Sequence, residues 1–136
     1  MKRLFTFFAA AVVAVSMMAE IDYPQYRDVN HNTDTQVRYK LYQTFNMWTF
    51  LKLDTRTGII TQVQYSTTGN DVECLLGAPT KGLSEEGKNG RYELYPTQNN
   101  WTFILLDQVS GKAYHVQWSQ DKDKRMVFEI QYSFLD

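Results

Sequence analysis

The sequence has few of the residues on which many functional sites depend. Its 136 residues include one cysteine and two histidines, and 14 basic side chains nearly cancel 15 acidic ones. A single cysteine cannot form an internal disulfide, and two histidines with one cysteine do not make a zinc site. We therefore expect no metal and no cofactor. Without a basic stripe we also expect no nucleic-acid partner.

The longest apolar run stands at the N-terminus. Lys2 and Arg3 precede an apolar stretch from Leu4 to Met18, and the small residue Ala19 follows. This pattern is typical of a secretory signal peptide, here residues 1–19; cleavage after Ser16 and an uncleaved anchor are the alternatives. The stretch is shorter than the roughly 20 residues of a membrane-spanning helix. We expect an exported protein, periplasmic or secreted, with no stable membrane span after signal removal.

The rest of the chain contains one segment twice. Residues 38–66 align without a gap on residues 91–119, with 15 of 29 positions identical. Such a repeat implies one structural unit built twice. We place a polar arm at 20–37, the repeats at 38–76 and 91–132, and a glycine-rich connection at 77–90. Residues 38–136 form a single β domain in this interpretation, because one unit alone buries too little surface to be stable.

Each repeat carries the signals of antiparallel strands. Asp54 and Gly58, like Asp107 and Gly111, enclose a short polar stretch, which is typical of a type I turn closed by a glycine with positive φ. Aromatic and β-branched residues flank both turns, and no long helical period is present. The sequence predicts an all-β fold of two similar four-stranded antiparallel units. We expect them to pack as a sandwich or partly open barrel about a pseudo-twofold axis.

Counting outward from a three-residue turn assigns the faces of each hairpin. This register places Leu53 opposite Thr61 and Leu51 opposite Val63. The predicted core positions are Leu51, Leu53, Val63 and Tyr65 in the first repeat and Ile104, Leu106, Tyr114, Val116 and Trp118 in the second.

The opposite face combines large rings with hydrogen-bonding groups in both repeats. Aromatic rings beside amides can stack on a sugar or a peptide while hydrogen bonds fix its orientation. The alternative is a second buried layer, where the units pack on each other, on the arm or on another chain. The candidate ligand-binding residues are Trp48, Phe50, Gln64, Trp101, Phe103 and Gln117.

Catalytic residues are not apparent. Cys74 and His115 invite a search for a nucleophile and its base, but Gln62 replaces His115 in the other repeat, and Cys74 lies in an alternating apolar series. The repeated acids, Asp54 and Asp107, are turn residues rather than a glycosidase pair. We therefore predict a protein that is not an enzyme, with a small hydrolase as a remote alternative.

The string RYxLYxTxNxWTFxxLDxxxG, followed by VQxS, resembles a repeat of small exported bacterial proteins without an assigned activity. The resemblance covers 58 residues and carries no catalytic residue. A weaker similarity joins residues 53–58 to a turn of quinoprotein-type β-propeller blades. Propellers close with about four blades or more, so with two units we interpret this as shared hairpin chemistry.

These observations favour an exported binding or interaction module with a glycan or protein ligand. The alternative is a structural protein of the cell envelope, in which the aromatic face makes a homo-oligomer or docks on a partner.

Overall fold

The computed structural model describes residues 37–79 and 87–133, which form two antiparallel sheets. The first sheet contains β1 (Tyr39–Gln43), β2 (Thr49–Asp54), β3 (Ile60–Gln64) and β4 (Val72–Gly77). The second contains β5 (Tyr92–Pro96), β6 (Thr102–Asp107), β7 (Ala113–Gln117) and β8 (Met126–Glu129). Strands pair in chain order in both sheets. The prediction of an all-β fold with two similar four-stranded units is confirmed.

The only helix among the described residues is a 3₁₀ turn at Lys122–Lys124. In residues 37–79 and 87–133 there is no helix of the length and apolarity that a membrane crossing requires. The predicted signal peptide, nearly all of the predicted arm and residues 80–86 of the connection lie outside the described residues.

Local hydrogen bonds build the hairpin tips as the sequence predicted. The Gly58 amide donates to the Asp54 carbonyl and the Gly111 amide to the Asp107 carbonyl, each at 2.8 Å. Both glycines have positive φ, 77° and 76°, a conformation that costs glycine little. Because these contacts span only four residues, the sequence alone determines where each hairpin turns.

The register of the hairpins differs from the prediction by one residue. Leu53 pairs with Ile60 and Leu51 with Gln62, because the Asp54 amide donates to the Ile59 carbonyl and the loop has one more residue than expected. Successive side chains of a strand point to opposite faces, so this slip exchanges the faces of β3 relative to β2. The same slip occurs between β6 and β7.

The core predictions are therefore half right. Leu51, Leu53, Tyr114, Val116 and Trp118 are buried as predicted. The other four predicted core residues were assigned to the wrong face: Val63 and Leu106 are half-buried, and Tyr65 and Ile104 are exposed.

Equivalent positions of the two repeats define two faces of each sheet. Face A carries Tyr42, Leu51, Leu53 and Gln62 in unit 1, and, 53 residues later, Tyr95, Ile104, Leu106 and His115 in unit 2. Face B carries Tyr39, Phe50, Val63 and Tyr65 in unit 1, and Tyr92, Phe103, Val116 and Trp118 in unit 2.

The core lies between face A of unit 1 and face B of unit 2. Leu51 is 0% exposed and Phe103 is 1% exposed, and both belong to one buried cluster. Their repeat equivalents lie on the outside, Ile104 exposed and Phe50 half-buried. A pseudo-twofold axis would bury the same positions in both units, so the expectation of such an axis is wrong. The units instead stack face A against face B.

Close contacts hold the two sheets together. A Cβ atom on Gly77 would lie 2.7 Å from a methyl carbon of Val127, so a side chain at position 77 would force Val127 or β4 to shift. The Tyr42 hydroxyl donates to Glu93 at 2.7 Å, and the Lys40 ammonium donates to the same carboxylate at 3.0 Å.

Candidate functional site

A repeated turn positions one tryptophan in each unit. In unit 1 the Thr44 hydroxyl donates to the Thr49 carbonyl at 2.7 Å, and the Trp48 amide donates to the Asn46 side-chain oxygen at 2.9 Å. Short side chains that bond nearby backbone groups favour turns over regular strands. The repeated string TxNxWT thus fixes the backbone of the tryptophan immediately before β2.

The same turn in unit 2 orients Trp101. Its amide donates to the Asn99 side-chain oxygen at 2.9 Å, and the Thr97 hydroxyl donates to the Thr102 carbonyl at 3.0 Å. The indole ring of Trp101 lies 4.7 Å from that of Trp118 at 37°. Trp101 is 50% exposed, so one part of a large ring is held open to solvent.

Trp118 forms the rigid support for this exposed ring. It is 1% exposed, and its indole N–H donates to the Asn100 carbonyl at 3.0 Å. A buried indole with a satisfied N–H has little freedom to move. Trp101 therefore rests on a fixed partner rather than on a mobile loop.

A recess of about 320 Å³ opens beside the two tryptophans, where β6 begins and β7 ends. Its lining combines two indoles with amide, hydroxyl and ammonium groups: Asn99, Trp101, Thr102, Gln117, Trp118, Ser119 and Lys124. The Gln117 side-chain amide donates to the Lys124 carbonyl at 3.0 Å, which fixes the position of the amide. The recess thus offers an aromatic surface with polar groups at its border.

Unit 1 has an aromatic cluster at the equivalent place. Trp48 lies 5.2 Å from Tyr65, and Phe50 lies 6.1 Å from the same ring. Lys52 and Glu73 form an ion pair farther along the same face. Hydrogen bonds from Lys52 and from the Thr61 hydroxyl lower the pKa of Glu73.

The six residues predicted to bind a ligand do not share one surface. Trp48 and Phe50 are together on face B of unit 1, while Gln64 lies on the opposite side of the same sheet. In unit 2 Phe103 is buried between the sheets. The prediction of a single Trp/Phe/Gln face is wrong, because the one-residue register slip separates the glutamines from the phenylalanines. Trp101 and Gln117 alone meet, in the recess.

Sequence reasoning missed part of the recess. Lys124 comes from the 3₁₀ turn, beyond the aligned residues 91–119, so no repeat signal marks it. Asn99 could have been found, because an asparagine stands two residues before both repeated tryptophans. Trp118 was assigned to the core; it is buried there and also lines the recess.

The repeated aspartates are held by structural hydrogen bonds. Asp107 accepts from Arg91 at 2.8 Å and from the Ser110 hydroxyl at 2.7 Å, as well as from the amides of Val109 and Ser110. Burial alone would raise the pKa of the Asp107 carboxyl, but these hydrogen bonds outweigh it and hold the pKa well below its usual range. A carboxylate so fully engaged serves the turn rather than proton transfer.

Cys74 and His115 do not meet. Cys74 faces the core side of the first sheet, where Arg125 donates to its sulfur at 3.0 Å. His115 packs edge-on against Phe128, at 4.8 Å, on the outer face of the second sheet. The second sheet therefore lies between the thiol and the imidazole. Within residues 37–79 and 87–133, no three His, Cys, Asp or Glu side chains converge to hold a metal ion.

Comparisons of the chain with protein-family models, curated proteins and solved structures find no match.

Proposed function

We propose that this chain is an exported, non-enzymatic binding module whose ligand is a glycan held in the Trp101 recess. The observation that carries the proposal is the half-exposed Trp101 ring, fixed on buried Trp118 and bordered by the Gln117 amide and Lys124. Export is inferred from the signal pattern of residues 1–19.

The aromatic part of the recess suits a sugar ring. The apolar C–H face of a pyranose can stack on an indole, because the aromatic ring offers a flat apolar contact area. Trp101 is oriented before any ligand arrives, by Asn99 on its backbone and by Trp118 under its ring. A ligand therefore loses little affinity to ordering of the site.

The polar border of the recess suits the hydroxyl groups of the same ligand. Asn99 and Gln117 have amide groups, which both donate and accept, and Thr102 and Ser119 add hydroxyls. The volume of about 320 Å³ lies at the small end of the range for small-molecule sites, roughly 300–1,000 Å³. These features favour a short neutral or acidic glycan over a protein surface, which would need a broader contact area.

The experiment is a panel of soluble oligosaccharides titrated into the purified protein, followed by intrinsic tryptophan fluorescence and by calorimetry. We expect at least one glycan to bind, and Trp101→Ala to lower its affinity by about tenfold or more, since an aromatic contact contributes on the order of 1 kcal/mol beyond its buried area. Trp48→Ala is the matched control, because Trp48 has the same turn but lies outside the recess. Failure of every glycan to bind, or equal effects of the two substitutions, would refute the proposal.

A second candidate function, structural self-association, is supported by the apolar residues on the outer faces of both sheets, such as Tyr65 and Ile104.

A further inference from the structure

Face B of unit 1 and face A of unit 2 are the two outer surfaces of the sheet pair. Their repeat equivalents, face B of unit 2 and face A of unit 1, form the core. We propose that the two outer surfaces bind each other between copies of this chain, so that chains associate head to tail.

The side chains on the outer face B repeat those of the buried face B. Three of four defining positions are identical, and the fourth is aromatic in both units: Tyr39 and Tyr92, Phe50 and Phe103, Val63 and Val116, Tyr65 and Trp118. In unit 2 these side chains pack on face A of unit 1. In unit 1 Tyr39 and Tyr65 are 50% and 42% exposed, although they have the same chemistry as the buried set.

The outer face A matches the buried face A in the same way. Tyr95 and Leu106 are identical to Tyr42 and Leu53, and Ile104 replaces its isomer Leu51. On the adjoining strand, Phe128 and Met126 occupy the positions opposite His115 and Gln117 and are exposed. A second chain that offers face B of its unit 1 would therefore meet much of the apolar surface that face B of unit 2 meets within the chain, with Ala113 and His115 in place of Ile60 and Gln62.

Several differences make the contact between chains weaker than the core. Thr61 on the outer face B stands where the buried face B has Tyr114. The outer face B has Lys52 where the buried one has Leu105, and Glu73 where β8 has Val127. The two charges form an ion pair, so no single unpaired charge would be buried, but their desolvation still opposes association. We expect association that depends on concentration rather than a permanent oligomer.

The contact is heterologous, because it joins two different surfaces. Heterologous contacts form a closed ring when the rotation from copy to copy brings the last copy back to the first. Otherwise they form an open filament. Radial arrangements of four-stranded sheets typically contain about four to eight sheets, and each chain supplies two. A closed assembly would therefore contain about two to four chains.

The first test is a concentration series of the purified protein in sedimentation velocity. We expect a rise in mass with concentration, abolished by Ile104→Glu on face A of unit 2 and by Tyr65→Glu on face B of unit 1. Val109→Glu is the matched control, because Val109 is 76% exposed at a hairpin tip outside both faces; it should associate like the original protein. Near-UV circular dichroism checks folding, and Phe128→Glu and Tyr39→Glu replace any variant that fails to fold.

Mixing the two variants tests the head-to-tail geometry. Each retains one intact face, so an equimolar mixture of Ile104→Glu and Tyr65→Glu should form a 1:1 complex and nothing larger. A mixture that stays monomeric while the original protein associates would overturn the heterologous contact. A monomer up to about 1 mM, the weak end of measurable affinity, would also overturn the proposal and leave the two faces to residues 20–36 or to another protein. The recess residue Trp101 is changed in none of these variants, so the outcome is independent of glycan binding.

Discussion

Leu51 and Ile104 occupy the same position in the two repeats, yet Leu51 is fully buried between the sheets and Ile104 is 38% exposed on the outer face of the second. The chain therefore uses equivalent side chains in two different environments. Paired substitutions at equivalent positions separate the effect of sequence from the effect of packing.

Leu51→Ala should lower the free energy of unfolding by about 2–5 kcal/mol, because it removes buried apolar surface and leaves a cavity. Ile104→Ala should cost less than about 1 kcal/mol in the monomer, since much of its side chain is already in water. Urea unfolding at low protein concentration measures both. Similar losses at the two positions would contradict the stacking of face A against face B.

Gly58 and Gly111 give a second matched pair. Both have φ near +76°, so alanine should cost about 1–2 kcal/mol at either position through backbone strain alone. A Cβ at Gly58 would also lie 2.7 Å from the Pro79 ring and 3.1 Å from Tyr92, whereas a Cβ at Gly111 meets nothing within 4 Å. Gly58→Ala should therefore lower the free energy of unfolding more than Gly111→Ala does, by about 1–3 kcal/mol. Thermal or urea unfolding of both variants decides it, and equal losses would argue against the contact with Pro79.

The hydrogen bond from Tyr42 to Glu93 links the two sheets at 2.7 Å. Tyr42→Phe should cost about 1–2 kcal/mol, because a bond to a charged group is lost. Tyr95→Phe is the control: this tyrosine is its repeat equivalent and is 45% exposed, so the change should be close to neutral. A neutral result for Tyr42→Phe in urea unfolding would mean that the bond adds nothing to stability.

Asp107 should make stability depend on pH in the acid range. Its pKa in the folded protein lies below the ordinary value, and the unfolded value is about 3.9. The ionised carboxylate therefore stabilises the fold above about pH 4, and this contribution is lost as the pH falls below 4 towards the folded pKa. Asp107→Asn should cost about 1.5–3 kcal/mol at pH 7.

The difference between Asp107→Asn and the original protein should shrink as the pH falls from about 5 to 2. Urea unfolding at a series of pH values gives this difference directly. A constant difference across that range would mean that the Arg91 pair does not depend on the charge of Asp107.

Contacts between nearby residues made the strands predictable. The bonds that close the Asp54 and Asp107 turns span four residues, and the strands beside them pair with their sequence neighbours. The candidate recess was predictable only in part. The repeat identifies Trp101 and Gln117, but Lys124 lies beyond the aligned residues, and Phe103 is buried because face B of unit 2 stacks on unit 1.

The sequence by itself determined two copies of one four-stranded sheet, because the turn residues and the alternation of apolar side chains act over short distances. The tertiary structure alone decided which face of each copy is buried. Both faces of both sheets carry apolar residues, so local pattern does not distinguish Leu51 from Phe50, or Phe103 from Ile104. Which face is buried depends on the stacking of one unit on the other. Which residues share a face depends on the length of the hairpin loop, where one additional residue exchanges the faces of the following strand.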